Sequence, residues 1–133
     1  MKAAKLVATR HKGREVLLVR RRRDGRWMFP GGKRKQGRES LKTCLAREIS
    51  EELPELELAR CRLWRKLNGK NDYTGRKMSD AIFLPGRVRG RLTIGAPREI
   101  DRVAWRRPFH LNLTATSRQI RDMLILEGIL RKR

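Results

Sequence analysis

Residues 16–19, Val-Leu-Leu-Val, form an uninterrupted apolar run, and this run restricts the fold more than any other segment. A strand with one face in water alternates apolar and polar residues, whereas a strand covered on both faces is apolar at every position. Residues 81–84, Ala-Ile-Phe-Leu, form a second such run, which ends at Pro85-Gly86. A sheet built on these strands needs packing partners on both faces.

Two segments with helical periodicity are available as those partners. In residues 40–53 an apolar side chain recurs at every fourth position, until Pro54 stops the pattern. The second segment starts near Thr116, because Thr116-x-x-Gln119 resembles a capping box, and it extends towards the basic end of the chain. Strands interleaved with two helices predict a single α/β sandwich over residues 1–133.

Weaker patterns place the remaining strands and turns. Apolar or alternating residues predict strands at 6–8, 27–29, 61–67, 92–94 and 100–105. The sequence Pro30-Gly31-Gly32 is expected to break regular structure, and Asn68-Gly69 is expected to form a turn.

The net charge is the unusual feature of the composition. The chain has 35 Lys and Arg against 14 Asp and Glu, a formal charge of +21. Such a surface attracts polyanions such as nucleotides, nucleic acid or acidic membranes. Compositional drift towards Arg, with the charges simply solvated, explains the same number. Composition alone leaves both explanations open.

The cysteines and the apolar runs indicate a cytoplasmic protein. Cys44 and Cys61 form no CxxC pair and no zinc pattern, which is typical of reduced thiols. The apolar patch in residues 1–10 is too short for a signal peptide. No segment approaches the ~20 apolar residues that cross a bilayer.

Three acids in the first helical segment point to chemistry. Glu48, Glu51 and Glu52 stand at positions i, i+3 and i+4, so their carboxylates share one helical face. At ~100° per residue this face lies at the edge of the apolar stripe rather than opposite it. Hard oxygen ligands at this spacing suit Mg²⁺ or Mn²⁺. A surface helix whose acids pair with Arg47 and its neighbours is the alternative.

The segment before this helix adds a longer pattern. Gly31-Gly32 follows Phe-Pro, and Glu39 precedes Arg47 by seven intervening residues, after which the chain continues Glu-Ile-x-Glu-Glu. This resembles the Nudix hydrolase signature G-x5-E-x7-R-E-U-x-E-E-x-G-U, where U is aliphatic. The chain departs from the signature at two places: six residues rather than five separate Gly32 from Glu39, and Pro54 stands near the closing glycine.

The resemblance implies a fold and an activity. The fold is an α/β/α sandwich with a central mixed β-sheet between the two helices. The activity is metal-dependent hydrolysis of a phosphoanhydride bond in a nucleoside diphosphate derivative, with Mg²⁺ or Mn²⁺ as the cofactor and a phosphorylated, nucleotide-like molecule as the substrate. The charge adds nucleic acid as a candidate partner.

The resemblance also implies roles for individual residues. Glu51 and Glu52 would bind the metal directly, and Glu48 would be a third ligand or the base for the attacking water. The Gly31 carbonyl would complete the metal shell. Arg47 would hold Glu39 and orient the helix without contacting substrate.

Glu99 is a further candidate, because many Nudix proteins add an acid from a distant loop; pairing with Arg98 or Arg102 on the surface is the alternative. The aromatic residues are expected to pack in the core rather than to stack on a base: Trp27, Trp64, Tyr73, Phe83 and Trp105. Two rival functions remain: a basic nucleic-acid-binding module on a Nudix scaffold, and a hydrolase acting on RNA 5′ ends. No interleaving of aromatic and basic residues in the sequence supports the module.

Overall fold

The structure, a computed structural model, describes residues 2–35, 37, 39–70 and 74–132, with only the backbone at position 70. Tyr73 therefore lies outside the described residues. In chain order the elements are β1 (Lys2–Leu6), β2 (Thr9–Arg10), β3 (Glu15–Arg21), β4 (Trp27–Met28), β5 (Gly31–Lys33), α1 (Leu41–Glu52), β6 (Leu56–Ala59), β7 (Arg62–Lys70), β8 (Lys77–Leu84), β9 (Arg87–Gly90), β10 (Ile100–Arg106) and α2 (Ala115–Leu126).

The strands form one mixed sheet and two antiparallel ones. The mixed sheet has the order β5-β1-β8-β7, in which β1 and β8 run parallel and the outer pairs are antiparallel. A second sheet has the order β10-β3-β2, with β4 paired to β3. Strands β6 and β9 form a separate ribbon. The central β1–β8 pair places the start of the chain beside its middle.

Both faces of the strands are covered, as the apolar runs require. In β3, Leu17 and Val19 belong to the core that includes Cys44, Leu45 and Ile49 of α1. Their neighbours Val16 and Leu18 belong to the core that includes Ile120 and Leu124 of α2. Successive side chains of a strand point to opposite faces, so one helix packs on each side. The α/β/α sandwich with a mixed sheet is confirmed.

Helix α1 begins and ends as its sequence dictates. The Ser40 side chain caps the first turn by accepting a hydrogen bond of 3.1 Å from the Thr43 amide. At the other end Leu53 has left the helical conformation, with φ −132° and ψ 73°, as expected because a following proline disfavours that conformation. The Gly95 amide donates to the Glu52 carbonyl at 2.8 Å and satisfies an otherwise free helix-end group. The helix therefore ends without the glycine of the family signature.

Four local predictions were wrong, two of them because a neighbouring strand provides pairing partners. Residues 31–33 form β5 instead of a break, since their backbone pairs with β1. Residues 68–69 continue β7 instead of turning, since β8 supplies partners for both. Residues 92–94 are irregular, and the strand in this region is β9, which pairs with β6. The first strand ends at Leu6 instead of spanning 6–8.

The cap of α2 also lies earlier than predicted. Thr114, not Thr116, accepts from the Ser117 amide, so the helix begins at Ala115. Each described helix contains 12 residues, fewer than the roughly 20 that span a bilayer. No helix among the described residues is long and apolar enough to cross a membrane.

Two leucines of α2 provide a matched test of this packing. Leu124 is fully buried, whereas Leu126 is 84% exposed. Leu124→Ala is expected to lower the free energy of unfolding by about 2–5 kcal/mol, because it leaves a cavity between α2 and the sheet. Leu126→Ala is expected to change it by less than about 0.5 kcal/mol. Urea denaturation measures both, and equal losses would mean that α2 packs through another face.

Candidate active site

The three helix acids line one cleft with Glu99. The cleft has a volume of about 600 Å³ and lies between α1, β5 and the segment that precedes β10. Gly31 and Gly32 form part of its wall. Basic residues from several elements share the same wall: Lys5, Arg21, Arg23, Lys33 and Arg98. A metal-bound phosphate ligand would find acids for the metal ion and basic residues for the phosphate in this cleft.

Glu52 is the most unusual of these acids, because only 4% of it is exposed. Its Oε1 accepts a hydrogen bond of 3.2 Å from the Gly31 amide. Burial raises the pKa of Glu52 to about 7, the Lys5 ammonium and the Gly31 hydrogen bond oppose the rise, and Glu48 and Glu99 add to it. A carboxylate that is held charged here at neutral pH needs a cation.

Arg47 connects the acids to the glycine-containing segment. Its Nε donates to Glu39 Oε2 at 2.7 Å, and its Nη2 donates to Glu39 Oε1 at 3.0 Å and to the Lys33 carbonyl at 3.1 Å. Its Nη1 donates to Glu48 Oε1 at 2.9 Å and lies 3.5 Å from Glu51 Oε1. The hydrogen bonds from Arg47 lower the pKa of Glu39 to about 2. The guanidinium thus fixes β5, the loop and α1 relative to one another.

The glycines leave room for these contacts. Gly31 has φ +138°, and a Cβ at this position would collide with the Ala4 carbonyl of the neighbouring strand. A Cβ on Gly32 would collide with the carboxyl group of Glu48. Gly31 therefore allows β5 to approach β1, and Gly32 allows Glu48 to lie against the strand.

The donor set suits a hard divalent cation, although no three described His, Cys, Asp or Glu side chains are already gathered at metal-binding distances. Glu48 and Glu51 are drawn towards Arg47, and Glu52 is held by the Gly31 amide. Carboxylate and carbonyl oxygens are the ligands that Mg²⁺ and Mn²⁺ prefer. The Glu52 carboxyl group is buried and has one amide as its described hydrogen-bond partner, so it has room for a cation as a further partner.

Glu99 faces the same cleft and makes no ion pair with Arg98 or Arg102 among the described residues. Its segment is anchored to β3: the Arg22 amide donates to the Glu99 carbonyl at 2.8 Å, and Arg22 Nε donates to the Pro97 carbonyl at 2.7 Å. The structure thus brings Glu99 to the α1 acids from about 50 residues along the chain.

Sequence analysis missed three residues that line the cleft. Lys5, Met28 and Met78 line it, and Lys5 is the basic group whose charge acts on Glu52. A lysine interrupting the apolar first strand was the available signal for Lys5. The two methionines gave no signal, because single apolar residues are ordinary in strands.

The aromatic residues do not line this cleft among the described residues. Trp27 and Phe83 are buried in the two cores, as predicted, while Trp64 and Trp105 are half-buried. Trp105 instead borders a second cavity of about 670 Å³ that shares no lining residue with the cleft. The acids of that cavity, Glu15 and Asp122, are each paired with an arginine. Both described acids of the larger cavity are therefore engaged in ion pairs, and neither is a buried acid like Glu52.

Comparison with known proteins decides the family. A family model described as the NUDIX domain matches residues 1–124. The chain belongs to the Nudix hydrolase family. Members of this family cleave pyrophosphate bonds in nucleoside diphosphate derivatives, so the protein is an enzyme of the pyrophosphohydrolase type.

Solved structures agree with a Nudix fold. A MutT NUDIX hydrolase from Burkholderia pseudomallei has a TM-score of 0.77 at 23% identity, covering 89% of this chain and 92% of its own. The NUDIX domain of Shewanella oneidensis NrtR, complexed with ADP ribose, has a TM-score of 0.70 at 17% identity, covering 96% and 87%. A bifunctional NMN adenylyltransferase/ADP ribose pyrophosphatase from Francisella tularensis, complexed with AMP and a Mn ion, has a TM-score of 0.72 at 14% identity, covering 96% and 41%. No curated protein gives a significant match.

The buried charge of Glu52 predicts an unusual stability effect for this Nudix protein. Folding raises the pKa of Glu52 from 4.5 to about 7, so the folded state favours the protonated acid. The stabilisation from this preference is complete below pH ~4.5 and is lost as the pH rises through about 7. With a chelator present, Glu52→Gln is expected to raise the free energy of unfolding by about 3 kcal/mol at pH 8.5, at about 1.4 kcal/mol per pKa unit. At pH 4.5 it should change little.

Urea denaturation at both pH values measures this difference. The exposed Glu55 lies three residues further along the chain, and Glu55→Gln is the matched control that should have little effect at either pH. A loss of stability in Glu52→Gln at pH 8.5 would contradict the described environment of Glu52.

Proposed function

We propose that this enzyme is a Mg²⁺- or Mn²⁺-dependent hydrolase that cleaves a phosphoanhydride bond in a nucleoside diphosphate derivative. The observation that carries the proposal is the buried Glu52 carboxyl, which has one backbone amide as its described hydrogen-bond partner and faces a cleft shared with Glu48, Glu51 and Glu99. An uncompensated buried carboxylate is strongly unfavourable. Such an arrangement is typical of functional sites rather than of structural ion pairs.

Each acid has a proposed part in the reaction. Glu51 and Glu52, with the Gly31 carbonyl, would hold the metal, and Glu48 would be a further ligand or accept the proton of the attacking water. When bound, the divalent metal neutralises phosphate charge and lowers the pKa of water. Glu99 would contribute a carboxylate from the opposite edge of the cleft.

Arg47 is a positioning residue in this proposal. Its guanidinium is bonded to Glu39, Glu48 and the Lys33 carbonyl, so it sets the distance between β5 and the acid-bearing face of α1. Glu39 holds the guanidinium through two hydrogen bonds in a planar, bidentate arrangement. Both residues would therefore act on the reaction through the orientation of Glu48.

The basic wall suits a polyphosphate. Lys5 lies near Glu52, while Lys33 and Arg98 are exposed at the cleft. Positive groups beside metal-binding acids offset the charge that accumulates on phosphate oxygens in the transition state. The AMP–Mn and ADP-ribose complexes of the structural neighbours support a nucleotide-like substrate.

A substrate panel tests the reaction. Nucleoside triphosphates, nucleotide sugars such as ADP-ribose, dinucleoside polyphosphates and coenzymes are incubated with Mg²⁺ or Mn²⁺, and released phosphate or nucleotide is measured. Turnover of at least one class, abolished by a chelator and restored by the metal, supports the proposal.

A nucleic-acid partner is the second candidate, and one observation favours it. The fold assembles a cavity lined by aromatic and basic residues, which the sequence does not show. Arg107 lies over Phe109 in this cavity at 5.8 Å, and Arg10, outside its lining, lies over the ring of Trp105 at 5.0 Å. Single-stranded nucleic acids bind to such combinations. Binding of RNA without turnover of any panel member would favour a binding module, whereas turnover of 5′-triphosphorylated RNA would favour a hydrolase acting on RNA ends.

Removing the buried carboxylate should abolish turnover even though the fold is intact. Glu52→Gln keeps the shape of the side chain but removes the charge, and kcat is expected to fall at least ~100-fold, about 2.7 kcal/mol of barrier. Glu55→Gln should retain normal kcat, because Glu55 is exposed beyond the helix. Steady-state kinetics at saturating metal measure both. Normal turnover in folded Glu52→Gln would remove Glu52 from the site.

Added salt is expected to slow the association of substrate with the enzyme more than the hydrolysis step. The chain carries +21 and its cleft presents basic residues to solvent, and such a field is screened over ~8 Å at physiological ionic strength. We expect kcat/KM to fall from low to moderate salt while kcat changes little. Arg98→Gln, at the cleft, should reduce this salt dependence more than Arg118→Gln, which is exposed on α2 outside the cleft. A salt-independent kcat/KM would leave the excess of Arg without a role in capture.

A further inference from the structure

Asp80 is a second buried acid, and the metal site proposed above does not use it. It lies on β8, where its neighbours across the sheet are Ala3 on β1 and Leu67 on β7. Paired residues in a sheet point to the same face, and Leu67 belongs to the core beneath α2. Only 2% of Asp80 is exposed. A carboxyl group is therefore buried on a face of the central sheet that it shares with Ile82 of this core and with Lys5, the register partner of Ile82.

This carboxyl group has no hydrogen bond and no ion pair among the described residues. The charged group that acts on it is Lys5, which lies too far away to form an ion pair. Burial accordingly raises the pKa of Asp80. Buried polar groups are almost always hydrogen-bonded, because leaving them unpaired is unfavourable. An unpaired buried acid is therefore expected to have a partner outside the chain.

The carboxyl group reaches an extension of the active-site cleft. A cavity of about 70 Å³ contains Asp80, and Lys5, Arg21, Met28 and Met78 line both this cavity and the cleft. Its volume is about half of the ~150 Å³ that admits benzene in an engineered protein cavity. The extension can therefore take the edge of a planar ring whose remainder lies in the cleft.

The chemistry of the walls selects the kind of ring. Met28 and Met78 present flexible thioethers, which pack well against aromatic faces. Asp80 is the one acid among the described residues that line the cavity, and a carboxyl group accepts hydrogen bonds from N–H donors and repels phosphate. Lys5 lines both the cleft and the cavity, and its charge acts on both Glu52 and Asp80. The phosphates and the ring of one ligand would thus occupy opposite ends of the cleft.

We propose that Asp80 determines substrate specificity by accepting a hydrogen bond from the exocyclic amino group of a nucleobase. The proposal rests on the nucleotide-derived substrate proposed above and names the base edge that the cleft selects. Bases whose exocyclic group is an amino group are preferred over their oxo counterparts, which present an acceptor to an acceptor. A site built to pair with a substrate donor discriminates against the analogue that lacks it.

Binding without metal tests this inference apart from hydrolysis. Calorimetry with a chelator compares two nucleoside monophosphate pairs in which an exocyclic amino group is replaced by an oxo group, AMP with IMP and CMP with UMP. In the unmodified protein at least one amino member is expected to bind roughly 10- to 100-fold more tightly than its partner, the range of a hydrogen bond to a charged group. Asp80→Leu, which matches the side-chain size and removes both oxygens, should make the members of that pair equal.

Two further variants complete the test. Asp80→Asn adds N–H donors and should shift the preference towards the oxo member, while Asp122→Asn, an exposed acid on α2, should leave it unchanged. Asp80→Leu should also raise the melting temperature of the ligand-free protein, which an acid serving a purely structural role would not do. Absence of any amino preference in the unmodified protein, or its survival in Asp80→Leu and Asp80→Asn, overturns the inference.

The outcomes also separate this inference from the proposed reaction. Glu52-dependent turnover without an amino preference would reject the role of Asp80 alone. An amino preference that Asp80→Leu abolishes, in a protein that hydrolyses no panel member, would support Asp80 and reject the proposed hydrolysis.

Discussion

The site depends on the contacts of one guanidinium group. Arg47 donates to Glu39, to Glu48 and to the Lys33 carbonyl, and so connects a loop, a helix and a strand. Its partners are largely buried, with side-chain exposures of 13% for Glu39 and 16% for Glu48. Breaking such a pair is much more unfavourable than losing a surface ion pair, because the remaining charge stays partly desolvated. The acid-bearing face of α1 therefore has one orientation relative to β5.

In the same region, the fold buries acids that lower its stability and that ligand binding would use. Arg47 neutralises Glu39 and Glu48, but Glu52 and Asp80 are buried with Lys5 as the shared basic influence. A fold selected only for stability would place apolar residues at both positions, since both side chains are almost completely buried. Uncompensated acids concentrated at one cleft, within otherwise well-packed cores, are what a ligand-binding site requires and a structural scaffold does not.

Sequence patterns predicted the parts of the fold that local periodicity determines. The helix 40–53 and its acids could be placed because 3.6-residue spacing is visible in one segment. Strand β5 could not, because Gly31 and Gly32 have no strand propensity and pair only where β1 provides an edge. Lys5 and Asp80 were missed for a related reason. The face that each residue occupies depends on the register between β1 and β8, which lie more than 70 residues apart in the chain.

The distribution of charge explains how a strongly basic chain keeps an acidic centre. Glu48, Glu51 and Glu52 follow one another on a single helix, and Glu99 joins them because Arg22 fixes its segment to β3. The basic residues of the cleft come from five separate segments instead: β1, the end of β3, the turn after β3, β5 and the turn before β10. Three of the four acids are therefore positioned by one helix, while the surrounding positive charge is spread over separate segments, with Arg23, Lys33 and Arg98 exposed. This arrangement suits the proposed reaction. Metal ligands need a fixed geometry, whereas attraction of a phosphate group needs only a positive electrostatic potential around the cleft.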